Sequence, residues 1–237
     1  MSSTIDALDN AGLERVRYFA RQLITAEDMR AEQQYFLERL RRHNRLLHGW
    51  GVVCGLEVQP APASAPWGVR ITPGCALSPQ GDEICFAEPQ EFDLAADAAG
   101  SASRIVFLAA RFVEQNSHAV RVHPVGCACT DGACEYSRIL DDFEFGVLTS
   151  LPESHTQAAT ADQQWCDVIR AWAGTNNPAP VPPFTPAPTD PWVVLASIQL
   201  PAQPTTALNN AAVTYQNRRV LYSATALRLM AHCLSRP

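Results

Sequence analysis

The sequence predicts an α+β protein: a long N-terminal helix, then a β-rich domain of sandwich or barrel-like form, closed by a short C-terminal helix. Three observations carry that expectation. A capped stretch with helical periodicity spans about residues 26–47. After Gly49 the texture changes to short Val- and Ile-rich runs punctuated by Pro-Gly and similar turns. Leu227, Met230 and Leu234 then recur at helical spacing near the end. The expected division is an arm and docking helix over residues 1–50 and a β-rich domain over 51–237.

The first helix is the clearest element. Thr25 stands as N-cap with Asp28 three residues on, the spacing of a capping box. Glu27 and Asp28 complement the positive end of the helix dipole, and Arg41, Arg42 and Arg45 complement the negative end. Met29, Gln33, Phe36, Leu40 and Leu47 alternate steps of four and three, with His43 at the missing step and Leu37 widening the stripe. The stripe reads as a core-facing face, and Phe36 and Leu40 are expected to be buried inside the assembly. Gly49 and Gly51 stop the helix.

Trp50–Val58 then reads as a strand, and Pro60–Pro66 as a proline-rich loop. Residues 67–88 read as paired strands around the tight turn Pro79-Gln80-Gly81-Asp82. Ile105–Val113 is expected as a buried strand, Ala119–Val122 as a shorter one, and Phe143–Leu148 and Trp192–Leu200 as two more. Gln163–Ala173 predicts a short helix and Tyr222–Leu234 a terminal one. Pro178–Pro191 holds seven prolines, a composition that suits an extended, solvated connector. No internal repeat is visible.

The 237 residues, 47% hydrophobic and 18% charged, suffice for a substantial core. The net charge of −6 argues against a general nucleic-acid coat. Its distribution is uneven: residues 1–50 net +1 and the remainder −7. Lys is absent, so every permanent cation is a guanidinium suited to bidentate carboxylate pairing. No apolar run reaches the length of a membrane span, and the N-terminus lacks the apolar region of a secretory signal. Synthesis and folding in the cytoplasm are expected.

Cys127-Ala-Cys129 with Cys134 is the one sharp chemical cluster. Thiolates at such short spacing can converge on one ion, so a structural zinc site is one reading, with His123 or Cys166 as a fourth ligand. A disulfide and free thiols are the others. Cys54, Cys75 and Cys85 lie in strand-like sequence and read as small buried hydrophobes. His43 and His48 lack the i, i+4 spacing and intervening Glu of a helical zinc site, so the first reads as a face residue and the second as a cap. Asp141 and Asp142 alternate across a strand and would not share a site; with Glu144 they read as solvated face residues. There is no phosphate-binding loop, dinucleotide fingerprint or nucleophile elbow.

Several phrases together resemble the N-terminal, baseplate-attaching modules of tail and fibre proteins in phages and related contractile injection particles. They are Arg17-Tyr-Phe-Ala-Arg-Gln-Leu-Ile-Thr-Ala-Glu-Asp28, His48-Gly-Trp-Gly-Val-Val-Cys-Gly-Leu-Glu-Val58, and Val69-Arg-Ile-Thr-Pro-Gly-Cys-Ala-Leu77 with Gly81-Asp-Glu-Ile84. Trp192-Val-Val-Leu-Ala-Ser-Ile198 and Asn217-Arg-Arg219 close the module. The middle is similar to a subset in which a short Cys loop leads into Cys134-Glu-Tyr-Ser-Arg-Ile139.

The resemblance implies a scaffolding part without an active site: an adaptor at a baseplate, cap or fibre attachment, present in several copies and contacting other tail subunits. Arg41, Arg42, Phe36 and Leu40 are the residues expected to meet a partner. Assembly in the cytoplasm is expected, and presence outside the cell as part of a released particle. The competing classes are a zinc-dependent enzyme on a mixed β scaffold and a carbohydrate-binding module.

Overall fold

The computed structural model describes residues 12–61, 65–95, 104–121, 134–174, 188–202, 206–224, 226–227 and 229–230. Helix α1 (Ala26–His43) runs straight into a π-helical turn, Asn44–His48. Three open sheets follow. Strands β1 (Gly51–Gly55), β4 (Gly74–Leu77) and β5 (Glu83–Phe86) form the first, in the order β1-β4-β5. Strands β2 (Val58–Pro60), β3 (Gly68–Ile71) and β6 (Gln90–Asp93) form the second. The third is β10-β9-β7-β8, built from β7 (Arg104–Arg121), β8 (Cys134–Leu148), β9 (Val193–Leu200) and β10 (Val213–Thr214). Helix α2 (Glu153–Gly174) links β8 to β9 in sequence. The fold is α+β as the sequence predicts, and its sheets do not close into a barrel.

All three sheets contribute to one core. Val52 and Ile84 come from the first, Val69 and Ile71 from the second, Leu108 and Leu195 from the third. Burying side chains of this size stabilises by about 1.5–3 kcal/mol each. Phe86, Phe143 and Phe145 interlock where β5 meets β8, with centroids 4.7 to 5.8 Å apart. Strand β9 is buried on both faces from Val193 to Ile198, which is why it opens on the unbroken apolar run Val193–Ala196.

The stretch read as one strand from Trp50 to Val58 is two strands in different sheets. Gly55 and Leu56 both have positive φ, +59° and +55°, and this pair of left-handed residues turns the chain from one sheet to the next. A side chain on Gly55 would stand 1.9 Å from the Pro73 carbonyl oxygen, so only glycine fits there. The Pro79–Asp82 turn joins β4 to β5 as expected, whereas β3 pairs with β2 and β6.

Four expectations are corrected. Helix α1 buries none of its residues: Phe36 is 60% and Leu40 51% exposed. The three sheets bury one another, and the attachments of α1 to them lie at its C-terminal end. The strands expected over Ile105–Val113 and from Ala119 onward are one continuous strand as far as Arg121, paired with β8 from Phe107↔Leu148 out to Arg121↔Cys134, and Val122 lies outside the described residues. The polar run after Val113 reads as a break, but a two-stranded ribbon needs no core on either face. The helix expected over Gln163–Ala173 begins at Glu153, with Ser154, His155 and Ala158 buried. Lastly, Cys75 and Cys85 are not buried hydrophobes. They face each other across β4 and β5 and form a disulfide, with Cys54 exposed beside them.

Of the proline connector, residues 178–187 lie outside the described residues. Pro188–Pro191 has no regular structure and is held by Gln80, whose amide donates to the carbonyls of Pro188 (2.8 Å) and Asp190 (3.1 Å). Ala224, Ala226, Leu227, Leu229 and Met230 are helical, in line with the terminal helix. No described helix is long and apolar enough to cross a membrane.

Candidate functional site

The candidate site is the outward face of α1 with the arm that precedes it. The arm's chain direction is set at Thr25. Its hydroxyl accepts from Asp28 N–H (3.1 Å) while the Asp28 carboxylate accepts from Thr25 N–H (2.9 Å), the reciprocal box expected from sequence. The Thr25 side chain and backbone bonds hold the Asp28 pKa below the usual carboxylate range. Tyr18 donates to the Glu32 carboxylate, and that bond raises the phenol's pKa. A shallow groove between arm and helix is lined by Arg15, Arg17, Tyr18, Glu32, Tyr35 and Phe36. Its chemistry is mixed: two guanidinium groups, a carboxylate and three rings.

The helix is anchored at its far end. Arg41 Nε donates to Asp82 Oδ1 at 2.5 Å, and Arg41 Nη1 to Glu38 at 3.1 Å. Burial disfavours the charged guanidinium, but the two carboxylates outweigh it and its pKa stands above the ordinary arginine value. Asn44, buried, donates to the Gly81 carbonyl at 2.8 Å. Gly81 has φ +97°, and a side chain there would stand 2.4 Å from the Arg41 carbonyl oxygen. Ser78 fixes the turn by accepting from Asp82 N–H at 3.0 Å.

Of the residues expected to meet a partner, Phe36 and Leu40 lie exposed on α1, and Arg41 is engaged with Asp82 inside the chain. Arg42 is half-buried one residue further on. Met29, Leu37, Leu46 and Leu47 extend the exposed apolar surface, with Leu47 70% exposed. His43 and His48 meet edge to face, centroids 5.3 Å apart, on the surface. Cys127, Cys129 and His123 lie outside the described residues. Cys134 is exposed at the start of β8, and Cys166 is exposed on α2. Among the described residues no group of three His, Cys, Asp or Glu side chains is placed to hold a metal. Asp142 accepts from the Gln115 amide and Glu144 pairs with Arg111 at 2.6 Å, both on the ribbon surface.

A second group escaped sequence reasoning: the clamp that closes the chain end onto β1. Arg219 donates to the Trp50 carbonyl (3.1 Å), lies over the Trp50 ring (5.1 Å) and forms a bidentate pair with Asp162 of α2 (2.5 and 3.0 Å). Arg218 donates to the carbonyls of Leu56 and Gly55. Beside them His155 is buried against the Trp50 ring, 4.7 Å between centroids, and its Nε2 accepts from Val194 N–H (3.1 Å). Burial first, and the nearby Arg219 charge second, push its pKa down to about 4, so it is neutral at pH 7. The Asn217-Arg218-Arg219 phrase was the available signal, but its partners are distant in sequence.

No protein-family model matches the chain, and no curated protein matches it. The solved structures to which it is remotely similar include these two. A crystal structure of TssK aligns with 86% of this chain and 41% of its own, at a TM-score of 0.42 and 8% identity. A cryo-electron microscopy structure of the type VI secretion system TssK-TssF-TssG baseplate subcomplex aligns over 81% and 58%, at 0.38 and 13% identity. The chain thus spans less than three fifths of either relative.

Proposed function

We propose that this chain is a non-catalytic scaffold subunit of a phage-tail-like contractile particle, an adaptor at its baseplate, cap or fibre attachment. The observation that carries the reading is the apolar surface left open on α1. Phe36, Leu37 and Leu40, with Leu47 on the π-helical turn that follows, are large hydrophobic side chains in water on a helix whose start is capped and whose end is clamped to the body. Leaving such area in water costs about 25 cal/mol per Å², and covering it on a partner recovers that. A helix held this way is pre-ordered, so docking loses little conformational entropy. The ordered phrases of the sequence supply the class of particle.

Partners are other tail subunits and further copies of this chain. Phe36 and Leu40 form the apolar centre of the contact and Arg42 its rim, while Arg41 acts from within by holding the helix. The test is incorporation of a tagged chain into particles purified from cells that produce them. Phe36→Asp with Leu40→Asp is expected to lower incorporation at least tenfold, with the circular dichroism and urea midpoint of the isolated chain unchanged. Incorporation at the wild-type level refutes the docking role of α1. A purified monomer that turns over a substrate refutes the scaffold reading itself.

A further inference from the structure

Three cysteines stand in one row across the first sheet. Cys54 on β1 is the direct partner of Cys75 on β4, and Cys75 is the direct partner of Cys85 on β5. Direct partners in antiparallel strands project to the same face. Val52, Ala76 and Ile84, which pair along the neighbouring row, are buried, so the cysteine row lies on the outward side. A bulge between Val52 and Cys54 makes this possible, because the extra residue, Val53, brings Cys54 into line with Cys75. Cys75 and Cys85 are joined, their Cα atoms 4.2 Å apart, and Cys54 is an exposed free thiol on the other flank of Cys75.

Directly opposed antiparallel residues have Cα atoms about 4.5–5.5 Å apart, within the range a disulfide spans. The register thus gives Cys75 a facing cysteine on each side, and it can bond only one at a time. Cys54 and Cys85 are two strand spacings apart, about 9.5 Å, beyond the roughly 7 Å limit for bridging.

We propose that Cys54, Cys75 and Cys85 form an intramolecular thiol–disulfide exchange site. The Cys54 thiolate attacks Sγ of Cys75; the Cys54–Cys75 bond forms, the Cys75–Cys85 bond breaks, and Cys85 leaves as a thiolate that takes up the proton Cys54 gave to solvent. One disulfide and one thiol are present before and after, so no oxidant or reductant is consumed. Exchange moves the cross-link from a hairpin already closed by a tight turn to the pairing of β1 with β4. It also moves the exposed thiol from β1 to β5, where a thiol reagent would meet it. The inference rests on strand register and is independent of the assembly reading.

The test maps thiols in the full-length chain held at pH 8 in a glutathione redox couple. Samples are acid-quenched, alkylated with N-ethylmaleimide and digested, so that peptide masses separate this row from the other cysteines. In the wild type, label is expected on Cys54 in one fraction and on Cys85 in another, with both the 75–85 and 54–75 linked peptides present. Cys85→Ser is expected to yield the 54–75 link, Cys54→Ser only the 75–85 link, and Cys75→Ser no link within the row. Label confined to Cys54, or found on all three cysteines, overturns the proposal in the wild type itself. So does a Cys85→Ser protein whose Cys54 and Cys75 are both alkylated.

Discussion

Lowering the pH should destabilise this fold through His155. In the folded chain the imidazole is buried beside Trp50 and near the Arg219 charge, and its pKa is about 4. In the unfolded chain it takes the ordinary value of about 6.5. Above that value both states are neutral and pH has no effect through this group. Between about 6.5 and 4 the unfolded state binds a proton that the folded state refuses, so stability falls as pH falls. The depressed value makes the effect approach about 1.4 kcal/mol per pH unit, about 2 kcal/mol between pH 8 and pH 5, with a ceiling near about 3.4 kcal/mol. Urea unfolding of the wild type and of His155→Gln at pH 8, 7, 6 and 5 isolates this contribution, because other titrating groups are common to both. The wild-type curve should fall about 2 kcal/mol further than the variant's over that range. Parallel curves, or an imidazole resonance titrating near its ordinary pH, refute the reasoning.

Asp82→Ala should remove the carboxylate that holds Arg41 and cost about 1–3 kcal/mol, since hydrogen bonds to charged groups are among the stronger ones. Hydrogen exchange should rise over α1 and the Asn44–His48 turn while β9 stays protected; unchanged exchange in α1 counts against the anchor. Gly81→Ala should cost more than about 1 kcal/mol, because the residue combines φ +97° with a carbonyl 2.4 Å from the new methyl. A wild-type urea midpoint for that variant would show that the turn relaxes freely. Arg219→Ala should loosen α2 by removing the Asp162 pair and should raise the His155 pKa, because the Arg219 charge helps to depress it. An imidazole titration identical to the wild type's counts against that coupling.

Much of the local structure was legible because its causes are local. Thr25 and Asp28 mark the start of α1 to the residue, since a capping box acts within four positions. The Pro79–Asp82 turn identifies the β4–β5 hairpin, and the continuous apolar run from Val193 marks the strand buried on both faces. The ribbon was half-legible: its inner part carries apolar residues, while its outer part is held by β7–β8 pairing, which leaves no periodic signal.

By itself, then, the sequence determined where α1 begins, that β-rich sequence follows it, and that α1 carries an apolar stripe. Only the tertiary structure decided which way that stripe faces. Periodicity records that a face is apolar but not what covers it, and here the sheets bury one another and leave Phe36 and Leu40 in water. Likewise Cys54, Cys75 and Cys85 became neighbours through strand register and one bulge. Arg219 met Trp50 and Asp162, and Arg41 met Asp82, only when distant segments were brought together. Those contacts depend on competition among whole surfaces for burial, which no short window of residues contains.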